Sequence, residues 1–83
     1  MNIQQLRYVV AIANSGTFRE AASKLFVSQP SLSVAIKDLE QELNFKIFTR
    51  TTTGAVLTSQ GMTFYERALE VVRSFDSFEK SLS

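Results

Sequence analysis

The stretch from Thr17 to Leu43, TFREAASKLFVSQPSLSVAIKDLEQEL, decides how this chain is read. It has the layout of a short helix, a tight turn and a longer helix whose first turn is rich in small polar residues. Thr17 and Glu20 make an S/T-x-x-E capping box, which starts a helix over about Phe18 to Leu25. Ala21 and Ala22 leave little side chain on one face, so another helix can approach closely. Ser28 then caps a second helix, and Pro30 falls in its first turn, where the missing N–H is harmless. Leu32, Ala35, Ile36, Leu39 and Leu43 recur at helical spacing as its buried stripe, and Phe18, Leu25 and Val27 join them as core contacts. Asn44 is a C-terminal stop. This order predicts a helix-turn-helix, a motif that presents the start of its second helix to the major groove of DNA.

Upstream, Asn2 and Gln5 make a looser capping box. Leu6, Val9, Val10 and Ala13 follow the i, i+3, i+4, i+7 rule of an amphipathic helix that ends at Asn14-Ser15-Gly16. Downstream the period changes. Ile47 to Arg50 and Ala55 to Leu57 are β-favouring runs around a turn at Thr51 to Gly54, which predicts a two-stranded hairpin. Thr58 caps a last helix running from about Ser59 almost to the end. In it Phe64, Ala68, Val71, Phe75, Phe78 and Leu82 are spaced 4, 3, 4, 3, 4, a heptad-type seam. The predicted division is therefore residues 1–58 as a compact unit and 59–83 as a projecting helix.

Composition narrows the function. Eighty-three residues suffice for one small core. No apolar run can span a membrane, and no signal peptide is expected at the N-terminus. With neither cysteine nor histidine, the usual nucleophile-and-base pairs cannot be built, and no cofactor or metal site is expected; an enzyme is disfavoured. The absence of cysteine suits a reducing cytoplasm. Net charge is only +1, weak for a nucleic-acid binder, but residues 1–60 hold six basic against four acidic residues and 61–83 three against four.

On a helical wheel at about 100° per residue, the predicted reading helix buries Leu32, Ile36, Leu39 and Leu43 in one sector. Pro30, Val34, Lys37 and Gln41 fall opposite, with Ser31 and Ser33 on the flanks. The exposed ridge near the helix start is then Pro30, Ser33, Val34 and Lys37. Small side chains let the backbone sit deep in a groove, hydroxyls and amides can bond base edges, and Val34 suits thymine methyls. The helix start also offers free N–H groups and a partial positive charge to phosphates.

The order A-A-x-x-L-x-V-S-Q-P-x-L-S-x-x-I-x-x-L-E from Ala21 to Glu40 resembles the N-terminal DNA-binding domain of LysR-type transcriptional regulators, a bacterial family. The likeness continues through I-F-T-R at 47–50 and L-T-S-Q-G at 57–61, and covers essentially the whole chain. The resemblance implies a mainly α, winged helix-turn-helix fold, with a three-helix core, a short β-hairpin wing and a long C-terminal dimerisation helix. It implies double-stranded DNA as partner, bound by a homodimer on an inverted repeat. It also implies a following effector-binding domain, which this sequence lacks and through which alone a small-molecule effector would act. Carried across, Gln29, Pro30, Ser31 and Ser33 face the groove, and Ser28 caps the reading helix and can touch phosphate. Arg50 grips backbone phosphate or the minor groove beside the hairpin residues Thr51 and Thr53. Arg7, Arg19 and Lys24 are weaker phosphate candidates. Three residues depart from the family pattern: Val34, where a long polar residue is common, Thr53, where a basic residue is common, and Gln60 in place of alanine.

The last helix carries the second expectation. Phe64 and Ala68 can pack on their own domain, whereas beyond Val71 too little chain remains to cover Val72, Phe75, Phe78 and Leu82. A helix with such a face calls for a partner, and a second copy would give a two-fold dimer matching two half-sites. The competing reading is a helical protein-interaction module that uses this helix without touching DNA.

Overall fold

A computed structural model describes Met1–Ser83 as four helices and one hairpin, in the order α1 (Ile3–Ser15), α2 (Phe18–Leu25), α3 (Gln29–Leu43), β1 (Phe48–Arg50), β2 (Ala55–Leu57) and α4 (Ser59–Ser81). Each helix begins where a side chain answers an orphan backbone N–H. Asn2 accepts from the Gln5 N–H and the Gln5 side chain accepts from the Asn2 N–H, so this looser box closes fully. Thr17, Ser28 and Thr58 accept from the N–H groups of Glu20, Ser31 and Gly61. The Thr17 box is only half made. Glu20 turns away to Lys24, 3.6 Å distant and one turn on, instead of reaching back to its cap.

The first three helices end in left-handed residues. Gly16 (φ 85°) and Asn44 (φ 62°) stand where the sequence places stops. The third left-handed residue, Phe26 (φ 59°), closes α2 by donating its N–H to the carbonyls of Ala22 and Ser23. A phenylalanine there is unusual, because its Cβ crowds the backbone in this conformation.

The core lies between α1, α2, α3 and the base of the hairpin. Val9, Ile12, Ala21, Leu32, Leu39 and Ile47 are fully buried, and Phe18, Ala22, Ile36 and Phe48 nearly so. Each large aliphatic side chain buried this way contributes about 1.5–3 kcal/mol. Phe18 of α2 meets Phe48 of β1 edge to face, with centroids 5.8 Å apart. That contact ties the wing to the helix-turn-helix. The hairpin is antiparallel, pairing Phe48 with Leu57 and Arg50 with Ala55. Ile47 drops out of the expected strand, because it faces the core while its carbonyl accepts from the Thr58 N–H at 3.0 Å. The result is a mainly α, winged helix-turn-helix.

α4 starts hard against that same carbonyl. A Cβ at Gly61 would sit 2.0 Å from the Ile47 oxygen, so only glycine fits. Gly61→Ala, which ordinarily strengthens a helix interior by about 0.5–1 kcal/mol, is expected here to destabilise by roughly 1–3 kcal/mol. Thermal melts should show a fall of about 4–8 °C per kcal/mol for a chain of this size. An unchanged or raised Tm would mean that α4 does not press on Ile47.

Candidate nucleic-acid interface

The first turns of α3 stand open to solvent. Ser28, Gln29, Pro30, Ser31, Val34 and Lys37 are all exposed, Val34 by 58%, while Leu32, Ile36 and Leu39 are buried on the other side. The Ser28 hydroxyl accepts from the Ser31 N–H and donates to the Ser31 hydroxyl at 2.8 Å. This cap leaves the Ser31 hydroxyl free to donate outward. Pro30 at the helix start removes a donor that no carbonyl would meet. What remains is a shallow ridge of hydroxyls, an amide, an apolar side chain and one ammonium.

Two flanks border the ridge. On the hairpin side an open groove of about 550 Å³ is lined by Ser33, Lys37, Glu40, Lys46 and Arg50 over a floor of Phe18, Ile36 and Phe48. Ser33 is half-buried here, so it faces the wing rather than the crest. The Arg50 guanidinium donates to the Ser33 hydroxyl at 2.6 Å and lies over the Phe18 ring, 3.7 Å from its centroid. Phe18 is thus a platform that aims Arg50 alongside the reading helix. Glu40, the one carboxylate in the groove, is turned inward. It accepts from the N–H groups of Ile47 and Phe48 at 2.7 and 3.2 Å, and Lys46 stands 3.8 Å from its other oxygen. The groove therefore shows three cations to one internally bonded anion. Lys46 is a member that the sequence reading missed. It lies outside the quoted motifs, and only the turn after α3 returns it to this side.

On the other flank, Pro30, Ser31 and Val34 share a shallow trough with Gln4, Gln5 and Tyr8 of α1. No motif singles out Gln4 or Tyr8, Gln5 is marked only as a capping residue, and packing alone brings them beside the reading helix. At the wing tip, exposed Thr51 and Thr53 are held by the Thr51 hydroxyl, which bonds both the Gly54 carbonyl and its N–H at 3.1 Å. Of the weaker phosphate candidates, Arg19 is exposed and Lys24 is loosely paired with Glu20. Arg7 is turned away from this face towards α4.

α4 does not follow the single seam that the spacing suggests. Val72 is only 8% exposed and Ala68 is buried, so the expectation that too little chain remains to cover Val72 is wrong: α1 runs alongside and covers it. Phe64 is also half-buried, edge to face with Phe45 at 6.4 Å. On the wheel, Tyr65, Ala68, Val72 and Asp76 form one row, turned about 90° from the row of Val71, Phe75, Phe78 and Leu82. The first row meets α1. The second is open, with Phe78 at 60% and Leu82 at 71% exposure.

Arg7 of α1 closes the inner row with a two-toothed ion pair to Asp76, at 2.6 and 3.3 Å, and its guanidinium also stands 5.6 Å from the Phe75 ring centre. The hydrogen bond from Arg7 holds the Asp76 carboxyl below its ordinary value, against an opposing effect of burial. The same bond raises Arg7.

The sequence profile of the bacterial regulatory helix-turn-helix proteins of the lysR family matches residues 3–62. The chain belongs to this family. It is 43% identical over 77 residues to the HTH-type transcriptional regulator BudR of Klebsiella aerogenes, an alignment covering 93% of the chain and 54% of BudR. It is 42% identical over 73 residues to the DNA-binding transcriptional dual regulator OxyR of Escherichia coli, covering 88% of the chain and 24% of OxyR. The chain thus spans about half of one relative and a quarter of the other. Both relatives are regulators, not enzymes. Among solved structures, the complex of the BenM DNA-binding domain with catB site 1 DNA matches with a TM-score of 0.94 at 33% identity, over 99% of this chain and 92% of that one. The complex of the CbnR DNA-binding domain with DNA matches with a TM-score of 0.86 at 32% identity, over all of both chains.

The Arg7–Asp76 pair sets a pH dependence. A carboxyl whose folded pKa is depressed adds stability that is present above the unfolded value, about 3.9, and is lost as pH falls through the folded one. Acid titration of the fold should therefore show Asp76→Asn less stable than the parent at neutral pH and the two converging below about pH 4. Parallel curves across that range would remove the pair from the stability of α4.

Proposed function

We propose that this chain is the DNA-reading and dimerising part of a transcriptional regulator. Residues 1–58 read DNA, and 59–83 join two copies. The observation that carries the reading is the capped, solvent-open start of α3 beside the Lys37–Lys46–Arg50 groove. α3 enters the major groove, with Gln29, Ser31 and Lys37 bonding base edges or phosphates and Val34 meeting thymine methyls. Thr51 and Thr53 border the phosphate backbone at the wing tip. Arg50 keeps donors to spare after its single bond to Ser33, and these reach a phosphate or the minor groove. Two of the solved neighbours are complexes with DNA, which supports this use of the surface.

The open row of Val71, Phe75, Phe78 and Leu82 is the pairing surface. Phe64, Ala68 and Val72 act behind it, fixing α4 to its own domain. A homodimer of this kind matches an inverted repeat, because its two-fold axis relates two half-sites. Cytoplasmic location suits such a role, and no helix is long and apolar enough to cross a membrane. Family membership weighs against a helical interaction module that never touches DNA.

Arg50→Ala tests the wing. It is expected to weaken binding to selected and random duplexes by a similar factor and to lower the slope of log affinity against log salt by about 1. Gel-shift titrations at several salt concentrations measure both. An unchanged slope would withdraw Arg50 from the backbone grip, and no salt-sensitive shift for the parent at micromolar protein would sink the DNA-binding reading itself.

A further inference from the structure

α4 is tied to α1 at two points, and the ties sit on matching faces. Near the start of α4, the Tyr65 hydroxyl donates to the Asn14 carbonyl oxygen of the side chain at 2.9 Å; towards its far end, Arg7 holds Asp76 at 2.6 Å. Asn14 and Arg7 are seven residues apart on α1, close to two full turns. Tyr65 and Asp76 are eleven apart on α4, close to three. Both spacings return to nearly the same face of their helix. Going along α1 from Asn14 back to Arg7 leads along α4 from Tyr65 forward to Asp76, so the two helices run antiparallel between the ties. Ala68 and Val72 are buried between them. The Arg7 guanidinium, already bonded to Asp76, also faces Phe75, which belongs to the open row.

α1 is in turn packed on α3 through the common core of Val9, Ile12, Leu32 and Ile36. A continuous packed path therefore runs from the reading helix, through α1, to the ring of Phe75. Apolar packing alone lets helices slide and roll to some degree, whereas a two-toothed arginine–carboxylate pair fixes both distance and plane.

We propose that Arg7 and Asp76 are positioning residues that set the separation and rotation of the two DNA half-sites. The pair aims the open row of α4 relative to α3, and so determines how far apart, and at what angle, two reading helices stand once two copies join. This rests on the proposed function above, and adds to it the specificity for half-site spacing. Inserting one base pair between half-sites moves one of them by roughly 3.4 Å along the duplex and about 35° around it. A dimer whose arms are clamped cannot follow that change, and one whose arms can roll accommodates part of it.

The test uses duplexes selected by the parent chain from a random pool, then rebuilt with one or two base pairs added or removed between the half-sites. Sedimentation measures dimerisation, and titration of an isolated half-site reports whether the reading surface is intact. The parent is expected to lose at least about fivefold in affinity for each misplaced spacer. Asp76→Ala is expected to keep its dimer and its half-site affinity while that penalty falls to about twofold or less. The charge-swapped double variant, Arg7→Asp with Asp76→Arg, is expected to restore the parent's spacing preference.

Three results overturn the inference. One is an Asp76→Ala spacing profile like the parent's. Another is loss of the dimer with half-site affinity intact, which would make Asp76 an adhesive rather than an aiming residue. The third is a swapped variant as tolerant as Asp76→Ala. Should Asp76→Ala lose half-site binding, the milder Asp76→Asn is read in the same way, and its failure too would assign the pair to folding alone. The inference falls with the reading beneath it only if the parent itself shows no dimer or no salt-sensitive binding, and both are measured first.

Discussion

The whole structure hangs on α1. Its Val9 and Ile12 are fully buried, and the helix packs against α2, α3, α4 and β2. In a chain of 83 residues there is material for one core only, so a single central helix must serve every neighbour. The faces of α1 are divided accordingly. One presents aliphatic side chains to the helix-turn-helix, and another carries Arg7 and Asn14 to α4. The reading helix and the open row of α4 thereby share a rigid support without touching each other extensively.

The modest net charge is reconciled with the surface by where the charges lie. Glu40 spends its carboxylate on the N–H groups of Ile47 and Phe48, stopping the chain at the start of the wing. Lys37, Lys46 and Arg50 then dominate one flank of α3, although the chain as a whole is nearly neutral. Electrostatic attraction to phosphate depends on the local field and falls off within a Debye length, about 8–10 Å at physiological salt. A local cluster therefore matters more than the total. The aromatic floor beneath it, Phe18 on Phe48, holds Arg50 in place and so converts core packing into aim.

Much of this was legible in the chain because caps and stripes are local. Asn2, Thr17, Ser28 and Thr58 announce helix starts within three residues of themselves, and Gly16 and Asn44 announce ends. The misreadings share a cause, namely competition with something distant or unexpected. Glu20 had a closer use for its charge in Lys24 than in its cap. The left-handed turn at Phe26, for which the chain offers no local signal, is held by its N–H bonding the carbonyls of Ala22 and Ser23. Val72 was misplaced because a 4-3 spacing marks an apolar stripe without saying which side of it meets the same chain. Lys46, Gln4 and Tyr8 carry no signal of their own, since membership in a surface made by three segments is not encoded within any of them.

The sequence by itself determined the elements, their order and the exposed start of α3, because capping, periodicity and the V-S-Q-P helix start are properties of neighbouring residues. It also determined the family, through a string of residue types too specific to arise from helical packing alone. Tertiary structure decided the rest. It split the apolar stripe of α4 into an inner row against α1 and an outer row in solvent, about 90° apart. It closed Arg7 onto Asp76 across 69 residues of chain and laid Arg50 over Phe18 beside Ser33. The physical reason is that ion pairs and ring stacking act over a few ångströms of space, whatever the distance along the chain.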